Sequence, residues 1–188
     1  MVANTVSRSK IGTTDLVYIG IFAALITVCS WISINLVVPF TLQTFAIFLA
    51  VYLLGGRRGT VSVLVYILLG AVGLPVFSGF SGGIGRLLGT TGGYIIGFLF
   101  SALVMWAFET FFGKNFRTYA ISMVVGLIVC YAFGTAWYMI VYTRDSGITG
   151  IMVVLGKCVF PFIIPDLIKI SLALAIGNNK NIRRVIVN

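Results

Sequence analysis

Apolar stretches separated by short polar or glycine-rich breaks run along nearly the whole chain. A helix rises 1.5 Å per residue, so about 20 apolar residues cross a bilayer core of about 30 Å. On this measure the pattern predicts six spans, at about 15–38, 44–54, 60–73, 94–112, 119–142 and 161–177. The breaks are a turn at 39–43, a basic turn at 55–59, a glycine-rich loop at 74–93, a basic turn at 113–117 and a polar turn at 143–147. The last apolar stretch, 148–176, would reach roughly 43 Å as one straight helix. Pro161 and Pro165 offer a break, which leaves a short re-entrant or interfacial helix at 148–156 before span six. The expected fold is an all-α integral membrane protein: six transmembrane helices in one bundle, with a Gly-rich outer loop between helices 3 and 4 and a Pro-broken last helix. Residues 1–188 then form a single membrane domain, with 1–14 and 178–188 as polar tails.

Composition agrees. Of 188 residues, 60% are hydrophobic and 9% charged, with mean hydropathy +1.12. A soluble domain carries about 25% charged residues. The formal charge of +9 would suggest nucleic acid in a soluble chain, but no basic stripe interleaved with aromatics is present. The charge fits positive-inside loops and anionic lipid. With six spans, Arg8, Lys10, Arg57, Arg58, Lys114, Arg117, Lys180, Arg183 and Arg184 share one side, against Arg86, Arg144 and Lys157 on the other. That bias places both termini in the cytoplasm, in a multi-pass protein of the cell membrane.

The most informative stretch is Pro161-Phe162-Ile163-Ile164-Pro165-Asp166-Leu167-Ile168-Lys169. Asp166 and Lys169 stand three apart on one helix face, about 16 Å above the inner end of span six. Each ion costs roughly 2.5–3.5 kcal/mol in hydrocarbon on insertion scales. Such a pair either locks helices together or holds a polar ligand. The outward-facing polar set is Asn35, Gln43, Arg86, Asp166 and Lys169, with Trp31, Phe77, Phe80 and Tyr94 near it. This suits a small amphipathic molecule with a hydrogen-bonding head and an anionic tail, since Arg86 can pair with a carboxylate through two parallel bonds.

Other motifs carry less. Gly79-Phe80-Ser81-Gly82-Gly83 matches the nucleophile elbow G-x-S-x-G, but the chain has no His and no Lys near Ser81 in sequence to act as base. No catalytic residue is expected. The P-loop signature is absent, so ATP hydrolysis is not expected of this chain alone. Cys29, Cys130 and Cys158 are far apart, form no C-x-x-C and read as packing residues, with no metal site expected. Gly85, Gly89, Gly93 and Gly97 recur every four residues, as do Gly20 and Ala24, and small residues at this spacing allow close helix approach.

Gly55-Gly56-Arg57-Arg58-Gly59, the run from Tyr66 through Gly70 and Pro75 to Phe77, Gly89-Thr90-Thr91-Gly92-Gly93-Tyr94 and Pro161 to Lys169 together resemble the BioY family, the biotin-binding S-components of energy-coupling-factor (ECF) vitamin importers. The resemblance covers about residues 15–177. It departs at Thr90, where the family pattern has Pro. The resemblance implies biotin as transported ligand without a cofactor, and a transmembrane coupling protein with two cytoplasmic ATPases as partners. It implies that Asp166 and Lys169 serve the ureido ring. Charge alone assigns Arg86 to the valerate carboxylate, and Tyr94, Asn35 and Gln43 complete the expected site. Gly79, Gly82, Gly83 and Gly85 would free the outer loop to close as a lid. Gly20 and Ala24 would face the coupling protein, although the family usually shows Ala at both places. Rival readings are an S-component for another small vitamin, a solitary membrane vitamin transporter, an intramembrane hydrolase using Ser81, and a structural subunit.

Overall fold

The computed structural model describes residues 12–34, 36–146 and 150–179, without the side chains of 143–146. It is mostly helical. The elements in order are α1 (Thr13–Trp31), β1 (Ser33–Ile34), β2 (Phe40–Thr41), α2 (Gln43–Leu54), α3 (Gly56–Ala71), α4 (Ile84–Leu88), α5 (Gly92–Phe112), α6 (Phe116–Ser146), α7 (Ile151–Cys158) and α8 (Phe160–Gly177). Four segments are long and apolar enough to cross a membrane: Thr13–Trp31, Gly92–Phe112, Phe116–Tyr142 and Ile151–Gly177. The helix Gln43–Leu54 is apolar but shorter.

The α2 helix is apolar all round, and residues Ala46 to Leu54 are all buried. A helix without a polar face belongs inside the bundle. Accordingly α2 packs against α1, α3, α5 and α8. At 12 residues it is about 18 Å long. The antiparallel β1–β2 pair precedes it, with Ser33 opposite Thr41 and Ile34 opposite Phe40.

That hairpin corrects the first predicted span. The α1 helix stops at Trp31 rather than near Val38. Ile32, Ile34, Val37 and Val38 are β-branched, and Pro39 disfavours helical backbone at the residue before it. The basic turn expected at 55–59 shrinks to Gly55, at φ 84°, and α3 already contains Arg57 and Arg58. The polar turn expected from 143 is helical backbone through Ser146, while Gly147 lies outside the described residues.

The last apolar stretch divides at Val159 (φ −126°, ψ −57°), close to the expected place. A continuous helix would drive the Pro161 ring into the carbonyl of Lys157. Instead Pro161 takes the first turn of α8, where a missing N–H costs nothing. Pro165 does not break the helix, contrary to expectation; it sits inside α8.

The four-residue glycine repeat divides between two roles. Gly85 is on α4 and Gly89 caps it, whereas Gly93 and Gly97 lie on α5 against α6. A Cβ on Gly93 would stand 2.2 Å from Trp137 Cβ, and one on Gly97 would stand 3.1 Å from Cys130 Sγ. Small residues here bring two membrane helices into close contact.

Contacts at one end join three segments. Arg58 pairs with Asp15 at 2.8 Å, tying α3 to α1. The Glu109 carboxylate accepts the Gly56 N–H at 2.6 Å and the Tyr119 hydroxyl at 2.9 Å, and lies 3.4 Å from Lys114 Nζ. At the other end, the Ser30 hydroxyl donates to the Val76 carbonyl, and the Trp31 indole donates to the Pro75 carbonyl at 2.9 Å. The segment after α3 is thereby fastened to the end of α1.

Candidate functional site

Asp166 and Lys169 project from one face of α8 and are 3% and 4% exposed. Lys169 Nζ donates to Asp166 Oδ1 at 2.7 Å and to the Thr41 carbonyl at 2.6 Å, and lies 4.0 Å from the Phe40 ring centroid. The β2 strand therefore supplies both a carbonyl dipole and an aromatic face to the ammonium. Thr44 Oγ1, in the first turn of α2, donates to Asp166 Oδ1 at 3.0 Å, and the Tyr131 hydroxyl of α6 donates to Oδ2. Each ion is thus neutralised and hydrogen-bonded, the condition under which buried charge survives. A carboxylate offers about four lone-pair positions and an ammonium three protons. Three acceptor positions and two N–H groups are engaged here, so one of each remains.

The pair lines one lobe of a divided cavity, a lobe that also touches Tyr94, Cys130 and Cys158. A second lobe includes Gln43, Phe77 and Arg86. The lobes share Val38, Pro39, Thr41, Tyr94 and Phe98. The walls are mainly apolar, with a buried ion pair in one lobe and a guanidinium at the other.

Of the sequence-predicted residues, Asp166, Lys169, Tyr94, Gln43 and Arg86 all line this cavity. Gln43 is buried and committed: its side-chain oxygen accepts from the Thr41 hydroxyl at 2.8 Å, and its amide donates to the Tyr66 hydroxyl. The Tyr94 hydroxyl lies 3.1 Å from Thr135 Oγ1. Arg86, on α4, is exposed and has no hydrogen-bond or ion-pair partner among the described residues. Asn35 lies outside the described residues. Phe77 lines the Arg86 lobe, whereas Trp31 and Phe80 stack on each other at 4.9 Å away from both lobes.

Sequence reading missed Thr41, Thr44 and Tyr131. Hydroxyl residues are common in spans, and nothing local marks these as facing a charge. Cys130 and Cys158, read as packing residues, are buried as expected and also form cavity wall. Of the residues proposed for the lid, Gly79 and Gly83 adopt φ 71° and 93°, Gly82 is pressed against the Leu74 carbonyl, and Gly85 is on α4. Gly20 and Ala24 are exposed on α1, beside exposed Leu16, Val17, Ile21 and Val28. The Ser81 hydroxyl donates to the Ser78 carbonyl at 2.8 Å, and among the described residues no acid or amine hydrogen-bonds to it.

The family model for BioY matches residues 3–186. The biotin transporter BioY of Thermotoga maritima is 43% identical over 164 residues, covering 87% of this chain and 93% of that protein. The probable biotin transporter BioY of Pyrococcus horikoshii is 40% identical over 160 residues, covering 85% and 91%. The crystal structure of the S-component for biotin from an ECF-type ABC transporter superposes with a TM-score of 0.76 at 29% identity, covering 91% of this chain and 89% of the other. From span pattern, cavity and relatives together, this chain belongs to the BioY family.

Proposed function

We propose that this chain captures biotin and serves its import as the substrate-binding subunit of an ECF-type transporter. The single observation that carries the reading is the buried Asp166–Lys169 pair, held in the cavity wall with one acceptor and one N–H unspent. The ureido ring of biotin presents N–H donors and a carbonyl acceptor. Asp166 takes an N–H, Lys169 donates to the carbonyl, and the pair stays intact. The thiophane ring and aliphatic chain lie against Val38, Phe98 and Tyr94. The carboxylate meets Arg86, whose lack of a partner leaves it free to form two parallel bonds. Tyr94, Gln43 and Asn35 complete the site.

The chain forms a single membrane domain of six spans, α1, α2, α3, α5, α6 and α8, with both termini cytoplasmic. The Asp15–Arg58 and Glu109–Lys114 pairs support this topology, because they gather the α1 start, the α2–α3 turn and the α5–α6 turn at one end. The exposed Gly20 and Ala24 face of α1 meets the coupling protein, and two cytoplasmic ATPases supply the energy. Within the segment bearing Gly79, Gly82, Gly83 and Gly85, the part from Gly83 through Gly85 closes over bound ligand, hinged on the stretch that carries Gly79 and Gly82.

Calorimetric titration of the detergent-purified chain with biotin tests the reading. Saturable binding at about one ligand per chain is expected. Absence of heat and of competition by unlabelled biotin in a folded sample refutes it.

A further inference from the structure

The loop after α3 divides into a part tied down by hydrogen bonds, 75–83, and the following α4, which packs on the core through half-buried Leu87. Segment 75–83 is anchored. Ser30 and Trp31 bind its carbonyls, the Gly83 N–H donates to the Gly70 carbonyl at 2.7 Å, and Phe77 and Ser81 exchange backbone bonds. Phe77 is 1% exposed and packs edge-on against Tyr66 at 5.6 Å. The following α4 differs: none of its residues is buried, although it carries Arg86 into the cavity wall. It begins after Gly83, whose positive φ marks a sharp change of direction, and ends at Gly89.

Among the described residues, a single side-chain hydrogen bond reaches α4 or its caps from elsewhere in the fold. The Trp137 indole N–H of α6 donates to the Gly89 carbonyl at 3.0 Å. That carbonyl also accepts the Gly92 N–H at 3.1 Å, so the α4 end and the α5 start are held at one atom. The indole itself is well placed. Its ring packs on Phe133 at 6.2 Å, and its Cβ occupies the space a side chain at Gly93 would need. A rigid donor on a membrane-spanning helix thus fixes the far end of a short, unburied helix that bears the cavity's unpartnered guanidinium.

We infer that Trp137, which does not line either lobe, is a positioning residue for ligand selectivity: its N–H to Gly89 sets α4 so that Arg86 can receive the ligand's carboxylate. This rests on the assignment of Arg86 to the biotin carboxylate. The hydrogen bond acts on one end of the ligand only, so its loss weakens binding of a carboxylate and spares an uncharged analogue.

The experiment is calorimetric titration of biotin and of biotin amide, the neutral analogue, against the full chain and its W137F, R86A and W137F/R86A variants. R86A lowers biotin affinity and leaves the amide within about twofold. W137F lowers biotin affinity about three- to tenfold, the range for one neutral hydrogen bond, and also leaves the amide within about twofold. In R86A, adding W137F changes biotin affinity less than twofold, because the indole acts through the guanidinium. W137H, which retains a ring N–H donor, recovers part of the loss. Should W137F not fold, a tryptophan analogue with sulfur in place of the indole N–H at 137 gives the same test. Equal loss for both ligands in W137F, or an additive double variant, overturns the inference while leaving the Arg86 assignment standing. No discrimination between the ligands by R86A overturns the assignment itself.

Discussion

Replacing Asp166 by Ala separates a ligand site from a structural pair. In the intact protein the carboxylate receives Lys169, Thr44 and Tyr131. In D166A the ammonium, 4% exposed, keeps only the Thr41 carbonyl and the Phe40 ring. Breaking a buried pair from one side costs about 3–5 kcal/mol, and that loss appears in thermal unfolding of the detergent-solubilised chain. The ligand loses one hydrogen bond to a charged acceptor, about 1.5–3 kcal/mol, so biotin affinity falls about 10- to 150-fold. The double variant D166A/K169M distinguishes the two effects. Removing both charges relieves the unpaired ammonium and recovers much of the stability, but it restores no ureido partner. Stability should therefore return without affinity in paired unfolding and titration measurements. Affinity within twofold of the parent, in either variant, refutes the site.

Tyr131→Phe removes the donor to Asp166 Oδ2 without opening a cavity, and biotin titration should show a loss of about three- to tenfold. Glu109→Gln leaves the Gly56 N–H and Lys114 with a neutral acceptor at the opposite end of the bundle. Thermal unfolding should show a destabilisation of about 1–3 kcal/mol, with biotin affinity unchanged. Ser81→Ala deletes a hydroxyl already spent on Ser78, so reconstituted uptake should match the parent; loss of uptake would return the G-x-S-x-G motif to consideration.

Much of the candidate cavity's polar lining was legible in sequence because its rarest parts are chemically conspicuous. Asp166 and Lys169 stand out in hydrocarbon at i, i+3, and Arg86 stands out in a loop of glycines. Tyr131, Thr44 and Thr41 carry no such mark. They lie 35, 122 and 128 residues from the side chains they hold, and which hydroxyl meets a charge depends on the rotation and depth of separate helices. Trp137 is invisible for the same reason, since its partner is a backbone carbonyl 48 residues away.

Sequence by itself determined a membrane chain, its apolar stretches and the ion pair, because hydropathy and one-turn spacing are local properties. It also located the division of the final stretch within a few residues, since proline acts on its own turn. Tertiary structure alone decided that the first helix ends at Trp31 and passes into a hairpin, that Pro165 is tolerated, and that α2 is buried from Ala46 to Leu54. Apolar residues satisfy lipid and protein interior equally well, so composition leaves open which face packs inward. Only the packing of distant segments against one another places hydroxyls on a carboxylate and an indole on a loop carbonyl.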